Sequence, residues 1–199
     1  MTGASLRLVA HGHTAALRRA RFGGTDDGLD EGGLRAALAR AGSDRHGHGS
    51  ADDACLTSPA AAATQTASAF GLRPVIEAAL ADCDYGDWTG RAFEEVARDH
   101  PQALHEWLSA PDSAPHGGES VAALRDRVGG WLDGQRARGG RIIAVTHPLV
   151  IRVAVVHALD LPLATYRQLD VEPLAIVRLT SQGTRWQLRL GATRAHSPA

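Results

Sequence analysis

The chain has 199 residues, of which 44% are hydrophobic and 5% aromatic. It is therefore long enough for one domain whose core is built mainly from alanine, valine and leucine. Its formal net charge is −1 and all 21 basic residues are arginine, so we expect no basic surface of the kind that binds nucleic acid or anionic membranes. No apolar stretch is long enough to span a bilayer, and the first residues lack the pattern of a signal peptide. These features predict a soluble, cytoplasmic protein that contacts neither nucleic acid nor a membrane.

Predicted strands and helices alternate along most of the chain. This alternation favours an α/β fold in which helices cover both faces of one sheet, in a single domain over residues 1–199. Residues 42–53 are expected to form a mobile loop and residues 194–199 a frayed tail. Strands are predicted at 6–9, 54–57, 141–145, 169–180 and 184–190, and helices at 31–41, 59–70, 92–99, 102–108, 119–135 and 149–159. Ser58 is expected to cap the second of these helices, and Pro59 to open it.

Two of the predicted strands end in a histidine. The first apolar strand leads to His11, and the strand at 141–145 leads to His147. Open α/β sheets place their chemistry at the carboxyl ends of the strands, and Gly12 allows the backbone to approach a ligand closely. If the two strands lie in one sheet, their histidines meet at the same edge. The sequence therefore predicts a pair of imidazoles at the centre of the site.

A series of short motifs occurs in a characteristic order. The segments are Ala10-His11-Gly12-His13-Thr14, Arg21-Phe22-Gly23-Gly24, Ser58-Pro59 through Gln65-Thr66-Ala67, Asp82 through Gly90, Gly117-Gly118-Glu119-Ser120 and Thr146-His147. Over nearly the whole chain this order resembles the histidine phosphatase superfamily, which includes phosphoglycerate mutases and α-ribazole phosphatases. The resemblance implies a phosphoglycerate mutase-like fold: a three-layer α/β/α sandwich around a mostly parallel sheet.

The resemblance also implies a catalytic role for three residues. His11 stands at the position of the family's nucleophile, which attacks phosphorus and becomes phosphohistidine. Asp82 stands at the position of the acid that protonates the leaving oxygen, and His147 is the second histidine, which helps to hold the phosphoryl oxygens. Two imidazoles and a carboxyl group in one cleft can also move protons in other reactions.

The sequence departs from the family pattern at positions that would hold the phosphoryl group. Both arginines of the family's phosphate site are replaced, one by Ala10 and the other by Ala62. A frequent asparagine is Leu17 here, and the usual glycine after the second histidine is Pro148. Arginine forms bidentate, charge-assisted bonds to phosphate, so these losses weaken the expected binding of a phosphate dianion. The other arginines near the site by sequence are Arg18, Arg19, Arg21 and Arg152, none of which stands at a matching position.

Three functions are consistent with this combination. The leading hypothesis is a divergent enzyme that uses His11, Asp82 and His147 for acid–base chemistry on a small, non-phosphorylated metabolite, by isomerisation, cyclisation, elimination or hydrolysis. The first alternative is an active phosphomonoesterase that forms a phosphohistidine at His11. The second alternative is a catalytically dead pseudophosphatase that binds a ligand or a partner protein.

Further residues are candidates for substrate contact. His13 takes a position that the family fills with glutamate, and either lines the cleft or faces solvent. Arg21 belongs to a matching motif, His116 lies in a loop that faces substrate in the family, and Glu119 either faces the pocket or sits at the start of its helix. Ala10 and Ala62 complete the predicted contact set.

We expect no cofactor. His11, His13, Asp82 and His147 are residue types that bind zinc, but the resembling family uses no metal, so no metal is expected either. The expected partner is a small-molecule substrate, and the resemblance implies a possible homodimer.

Overall fold

A computed structural model describes residues 3–24, 26–43 and 53–190. Most of the loop predicted at 42–53, and the tail predicted at 194–199, lie outside the described residues. The strands are β1 (Ala4–Ala10), β2 (Ala54–Thr57), β3 (Val75–Ile76), β4 (Gly140–Thr146), β5 (Ile176–Gln182) and β6 (Arg185–Arg189). The helices are α1 (Ala15–Arg18), α2 (Glu31–Ser43), α3 (Ala61–Ala69), α4 (Phe93–Asp99), α5 (Pro101–Ser109), α6 (Val121–Arg138) and α7 (Pro148–Ala158). Short 3₁₀ turns occur at Ala78–Leu80, Gly86–Trp88 and Leu163–Gln168.

The strands form one six-stranded sheet in the order β3-β2-β4-β1-β5-β6. The pairs β1–β4, β2–β4 and β2–β3 are parallel, whereas β5 and β6 are antiparallel additions at one edge. Each parallel pair is joined by a crossover that contains helix, as parallel strands require. The prediction of an α/β fold with a mostly parallel sheet is confirmed.

Helices cover both faces of this sheet because its central strands are apolar on both sides. Leu6 and Leu8 of β1 point into a core shared with α6 and α7, while Val9 points into a second core shared with α2 and α3. The side chains of β4 also alternate between the two cores: Ala144 packs in the first and Val145 in the second. Side chains that alternate between two buried faces define the three-layer sandwich.

Two helices begin later than the sequence predicts. Helix α3 starts at Ala61 rather than at Pro59, and Ala60, which cannot cap through its side chain, is the N-cap. The hydroxyl of Ser58 instead accepts a hydrogen bond from the Ala60 amide at 3.2 Å and bonds to His147. Helix α6 starts at Val121, and its N-cap Ser120 accepts a hydrogen bond from the Ala123 amide at 3.1 Å.

The strand predicted at 169–180 begins seven residues later in the structure, where it is β5. Residues 163–168 form a 3₁₀ turn, and β5 begins only at Ile176. The Ala175 amide donates to the Glu172 carbonyl at 3.0 Å, and Leu174 has a φ of 64°. A closed turn with a left-handed residue interrupts extended backbone, so the alternation before Ile176 does not produce a strand.

Candidate active site

His11 and His147 lie side by side at one edge of the sheet. Strands β1 and β4 are parallel neighbours whose last paired residues are Ala10 and Thr146, so the next residue of each strand is a histidine. The His11 amide donates to the Thr146 carbonyl at 2.9 Å, which fixes the register at this point. The two ring centroids are 5.0 Å apart at an interplanar angle of 71°. The predicted pair of imidazoles is therefore present, and both rings are buried.

The imidazole of His11 is held in one tautomer. Its Nδ1 lies 2.7 Å from the carbonyl oxygen of Gly12. Because a carbonyl oxygen accepts but cannot donate, Nδ1 carries the proton, and Nε2 of the neutral ring keeps its lone pair. Burial, and next the neighbouring His147, lower the pKa of His11. His11 thus has a neutral ring with a nucleophilic Nε2.

Gly12 allows this close turn. A Cβ atom at position 12 would lie 3.1 Å from Leu29 Cδ2 and 3.2 Å from the Gly33 carbonyl oxygen. The Gly12 amide also donates to the Thr66 hydroxyl at 3.0 Å, which anchors the turn to α3. The packing of the turn against α2 therefore leaves little room for a side chain at Gly12, whereas the close approach to a ligand that the sequence suggests stays a prediction.

His147 lies between a hydroxyl and a carboxyl group. Its Nε2 is 2.8 Å from the Ser58 hydroxyl, and its Nδ1 is 3.5 Å from Oδ2 of Asp82. Burial, and to a lesser extent the positive charge of Arg127, lower the pKa of His147 to about 4. The ring is therefore neutral at pH 7 and can accept or donate a hydrogen bond at the edge of His11.

Asp82 has the opposite shift. Burial raises its pKa to about 6, although the Cys83 amide, which donates to Oδ1 at 2.9 Å, favours the charged carboxylate. When the pKa of a carboxyl group lies near the working pH, part of the protein carries the protonated form, which can donate its proton to a leaving group. Asp82 can therefore act as a general acid beside the two histidines.

These three residues line one cavity of about 340 Å³. His11 and His147 are 8% and 5% exposed and form its floor. Three of the positions at which the sequence departs from the family pattern, Leu17, Ala62 and Pro148, also line this cavity. The fourth, Ala10, is fully buried in the core at the end of β1. The predicted contact between Ala10 and substrate is therefore not made, because the side chain points into the sheet–helix interface.

Two arginines line the same cavity. Nη1 of Arg21 donates to the Gly90 carbonyl at 2.7 Å. Nη2 of Arg152 lies 3.5 Å from Oδ1 of Asp170, whose side chain is 86% exposed, and the buried Nε of Arg152 has no hydrogen-bond partner among the described residues. Arg18, by contrast, pairs with Asp30 on the surface. Arg21 and Arg152 are thus the candidates to supply positive charge in place of the missing arginines.

Besides Ala10, three predicted substrate-binding residues do not line the cavity. His116 is 1% exposed, and its ring lies 4.9 Å from the ring of Trp88 in an aromatic cluster. Glu119 turns away and forms an ion pair with Arg127. His13 is partly buried, and its Nδ1 has no partner among the described residues. Their motifs place these residues near the site in sequence, but packing holds the side chain of His116 elsewhere and pairing holds that of Glu119 elsewhere.

Arg127 has a role that sequence reasoning missed. It donates to the carbonyl oxygens of Ala79, Ala81 and Asp82 at 2.9, 3.1 and 3.2 Å, and it pairs with Glu119. It thereby holds the loop that carries Asp82 against α6. No local pattern marks this residue, because its acceptors come from a segment more than forty positions earlier in the chain.

Within residues 3–24, 26–43 and 53–190, no group of three or more His, Cys, Asp or Glu side chains is arranged to hold a metal ion. None of the helices in these ranges is long and apolar enough to cross a membrane.

The sheet order and the two histidines at adjacent strand ends define an α/β protein of the phosphoglycerate mutase-like class. The family model described as histidine phosphatase superfamily (branch 1) matches residues 6–193, and the chain belongs to this superfamily. The resemblance stated from the sequence motifs is therefore confirmed.

The chain is also similar to individual known proteins. The bifunctional protein Rv2228c of Mycobacterium tuberculosis is 31% identical over 191 residues, which is 92% of this chain and 52% of that protein. Phosphoserine phosphatase 1 of Hydrogenobacter thermophilus is 29% identical over 107 residues, 52% of this chain and 51% of that protein. The chain thus spans about half the length of the curated relatives it matches. The solved structure of the α-ribazole phosphatase from Shigella flexneri superposes on this chain with a TM-score of 0.82 at 20% sequence identity. The match covers 98% of this chain and 99% of that protein, and it shows that the two share a fold.

Proposed function

We propose that this protein hydrolyses phosphate monoesters through a phosphohistidine at Nε2 of His11. The observation that carries the proposal is the bond from Nδ1 to the Gly12 carbonyl, which leaves the lone pair of Nε2 free beside Asp82 and His147. Membership of the superfamily supports the same chemistry, as does the likeness to a relative named as a phosphoserine phosphatase. We therefore place the phosphomonoesterase, which is the first alternative from the sequence, ahead of the leading hypothesis of acid–base chemistry on a non-phosphorylated metabolite.

The reaction proceeds in two steps. Nε2 of His11 attacks phosphorus, the bond from phosphorus to the ester oxygen breaks, and protonated Asp82 gives its proton to the leaving alcohol. A water molecule then attacks the phosphorus of the phosphohistidine and gives a proton to the Asp82 carboxylate. The bond from nitrogen to phosphorus breaks, and phosphate leaves. His147 stays neutral and donates or accepts a hydrogen bond beside the transferred group.

Binding of the phosphoryl group requires positive charge. Ala62 offers none, so we assign this role to Arg21 and Arg152, which line the same cavity. A hydrogen bond to a charged group contributes about 1.5–3 kcal/mol. Nη2 of Arg152 is held by a long contact of 3.5 Å to the exposed carboxylate of Asp170, which a phosphoryl oxygen can replace.

A second candidate function is acid–base catalysis on a non-phosphorylated metabolite. The observation that favours it is Ala62, which leaves the cavity without an arginine from α3. In this case Asp82 donates a proton while neutral His11 or His147 accepts one. The two candidates differ in whether phosphorus becomes bonded to His11.

The deciding experiment measures hydrolysis of p-nitrophenyl phosphate and a panel of phosphate monoesters between pH 5 and 8. We expect turnover by the wild type, a loss of at least about 10³-fold in His11→Ala, and no change in His105→Ala, whose histidine is exposed on α5. Quenching during turnover should leave a phosphoryl adduct on the peptide that contains His11, stable in alkali and labile in acid. Folded wild-type protein that hydrolyses none of these esters would refute the proposal and favour the second candidate.

A further inference from the structure

The cavity has a polar floor and an apolar mouth. The two histidines at its floor are almost fully buried, whereas Leu17 and Phe93, which line the same cavity, are each 39% exposed. Leu149 at the start of α7 adds to the apolar lining. If phosphorus is attacked at His11, the leaving group must extend from the floor toward these exposed side chains. They are therefore placed to contact the part of the substrate beyond the ester oxygen.

This apolar wall has a fixed shape. Phe22 is 7% exposed, and its ring lies 6.1 Å from Phe93 in a stacked arrangement and 5.1 Å from Tyr85. The Phe93 amide donates to the Ala20 carbonyl at 2.8 Å, which ties the start of α4 to the end of α1. Leu17 lies in α1, so the two exposed side chains are held on one preformed surface. A preformed wall binds an apolar group without a further ordering cost.

Two polar side chains of this lining, Thr14 and Asp27, each already accept a hydrogen bond from a backbone amide. The Thr14 hydroxyl accepts from the Leu17 amide at 3.0 Å, and the Asp27 carboxylate accepts from the Gly24 amide at 3.0 Å. A leaving group with several hydroxyls, or with a charged amino acid, would lose its water here and gain few hydrogen bonds in exchange.

We infer, on the basis of the proposed function, that the preferred substrates are phosphate monoesters of apolar alcohols, whose alkyl or aryl group lies against Leu17, Phe93 and Leu149. Polyhydroxylated and zwitterionic leaving groups are disfavoured by the same wall. Apolar surface that leaves water contributes in proportion to its area, so the preference grows with the length of the apolar group until the wall is covered.

The test is kcat/KM for ethyl, butyl and hexyl phosphate, with glycerol phosphate and phosphoserine as polar comparisons. The three alkyl alcohols have nearly equal leaving-group basicity, so chain length changes contact with the wall but not the chemistry. We expect kcat/KM to rise about two- to fourfold for each added methylene, and the hexyl ester to exceed both polar esters.

Two variants assign the effect to the wall. In Leu17→Ser the dependence on chain length should weaken, because Leu17 is one of the three apolar side chains of the wall. Leu108→Ser is the matched control, since Leu108 is 38% exposed but lies on α5 away from the cavity lining, and it should keep the wild-type dependence. Hydrolysis that does not depend on chain length, or an unchanged dependence in Leu17→Ser, would overturn this inference and leave the proposed function standing. A complete lack of His11-dependent hydrolysis would overturn both.

Discussion

Arg127 and Glu119 form a bidentate ion pair next to the loop that carries Asp82. Nε and Nη2 of Arg127 lie 2.9 and 2.7 Å from Oε1 and Oε2 of Glu119. The same guanidinium group donates to the backbone carbonyls of Ala79, Ala81 and Asp82, the stretch that ends at the proposed general acid. The planar fork of arginine can serve several acceptors at once. This pair therefore connects the start of α6 to the position of the proposed general acid.

We expect Arg127→Met to lower the free energy of unfolding by about 1.5–3 kcal/mol, because carbonyl oxygens lose their donor and Glu119 loses its partner. Urea denaturation measures this loss. Arg98→Met, which removes a largely exposed arginine from α4, should change stability by less than about 0.5 kcal/mol. The pH profile of hydrolysis should also shift in Arg127→Met, since Arg127 places Asp82. A purely structural role would leave that profile unchanged.

The stability of the protein should depend on the ionisation of Asp82. Burial raises the pKa of Asp82 to about 6, so the folded state favours the protonated carboxyl more than the unfolded chain does. This contribution to stability is fully present below the unfolded pKa of about 4 and is lost as the pH rises through about 6. We therefore expect Asp82→Asn to be more stable than the wild type at pH 8, by about 1–3 kcal/mol, and to match it near pH 4.

The same variant should lose activity. Asparagine cannot give a proton to the leaving alcohol, so kcat should fall about 10²- to 10⁴-fold, and the decline of wild-type kcat above pH 6 should disappear. Asp112→Asn, in which the replaced residue is exposed, is the control for both measurements. The raised pKa predicts that the difference in free energy of unfolding between Asp82→Asn and the wild type grows from pH 5 to pH 8. An equal difference at the two pH values would contradict it.

The Ser58 hydroxyl should matter for both stability and activity. It bonds to Nε2 of His147 and accepts from the Ala60 amide, and it is fully buried. We expect Ser58→Ala to destabilise the protein by about 1–2 kcal/mol, because it leaves His147 and an amide without a partner. A decrease in kcat/KM of about tenfold should accompany this loss as the ring of His147 loses its orientation. The comparison is Ser68→Ala, which removes an exposed hydroxyl that donates to the Thr64 carbonyl within α3. Equal effects of the two substitutions would argue against an orienting role for Ser58.

Restoring an arginine on α3 should strengthen phosphate binding. Ala62 is 3% exposed and lines the cavity, so an arginine there extends into the space above the histidines. For Ala62→Arg we expect kcat/KM for p-nitrophenyl phosphate to rise about tenfold or more, with tighter inhibition by inorganic phosphate. Steady-state kinetics with Ala69→Arg, at the other end of the helix, provides the control. If Ala62→Arg instead lowers kcat/KM in folded protein, the added side chain fills space that the phosphoryl group needs, and Arg21 and Arg152 already supply the positive charge.

Much of the architecture could be predicted from local patterns. Strand β2 covers the predicted residues 54–57, and α2 begins at Glu31 as expected. The strand ends at His11 and His147 also followed from short apolar runs, and their neighbouring positions followed from the family resemblance and the parallel sheet. These features depend on the hydrophobic periodicity of adjacent residues, which is visible in the chain itself.

Other features required the tertiary structure. Ser58 matches a helix cap in sequence, yet its hydroxyl binds His147, 89 residues later. His116 and Glu119 lie in motifs near the site, but an aromatic cluster and Arg127 hold their side chains away from the cavity.

The sequence by itself thus determined the family, the sheet and the three titratable residues of the candidate site. Tertiary packing decided the tautomer of His11, the raised pKa of Asp82 and the apolar mouth formed by Leu17, Phe93 and Leu149. The physical reason is that burial and hydrogen bonding are set by residues that are distant in the chain. No local pattern of amino acids specifies which of them meet.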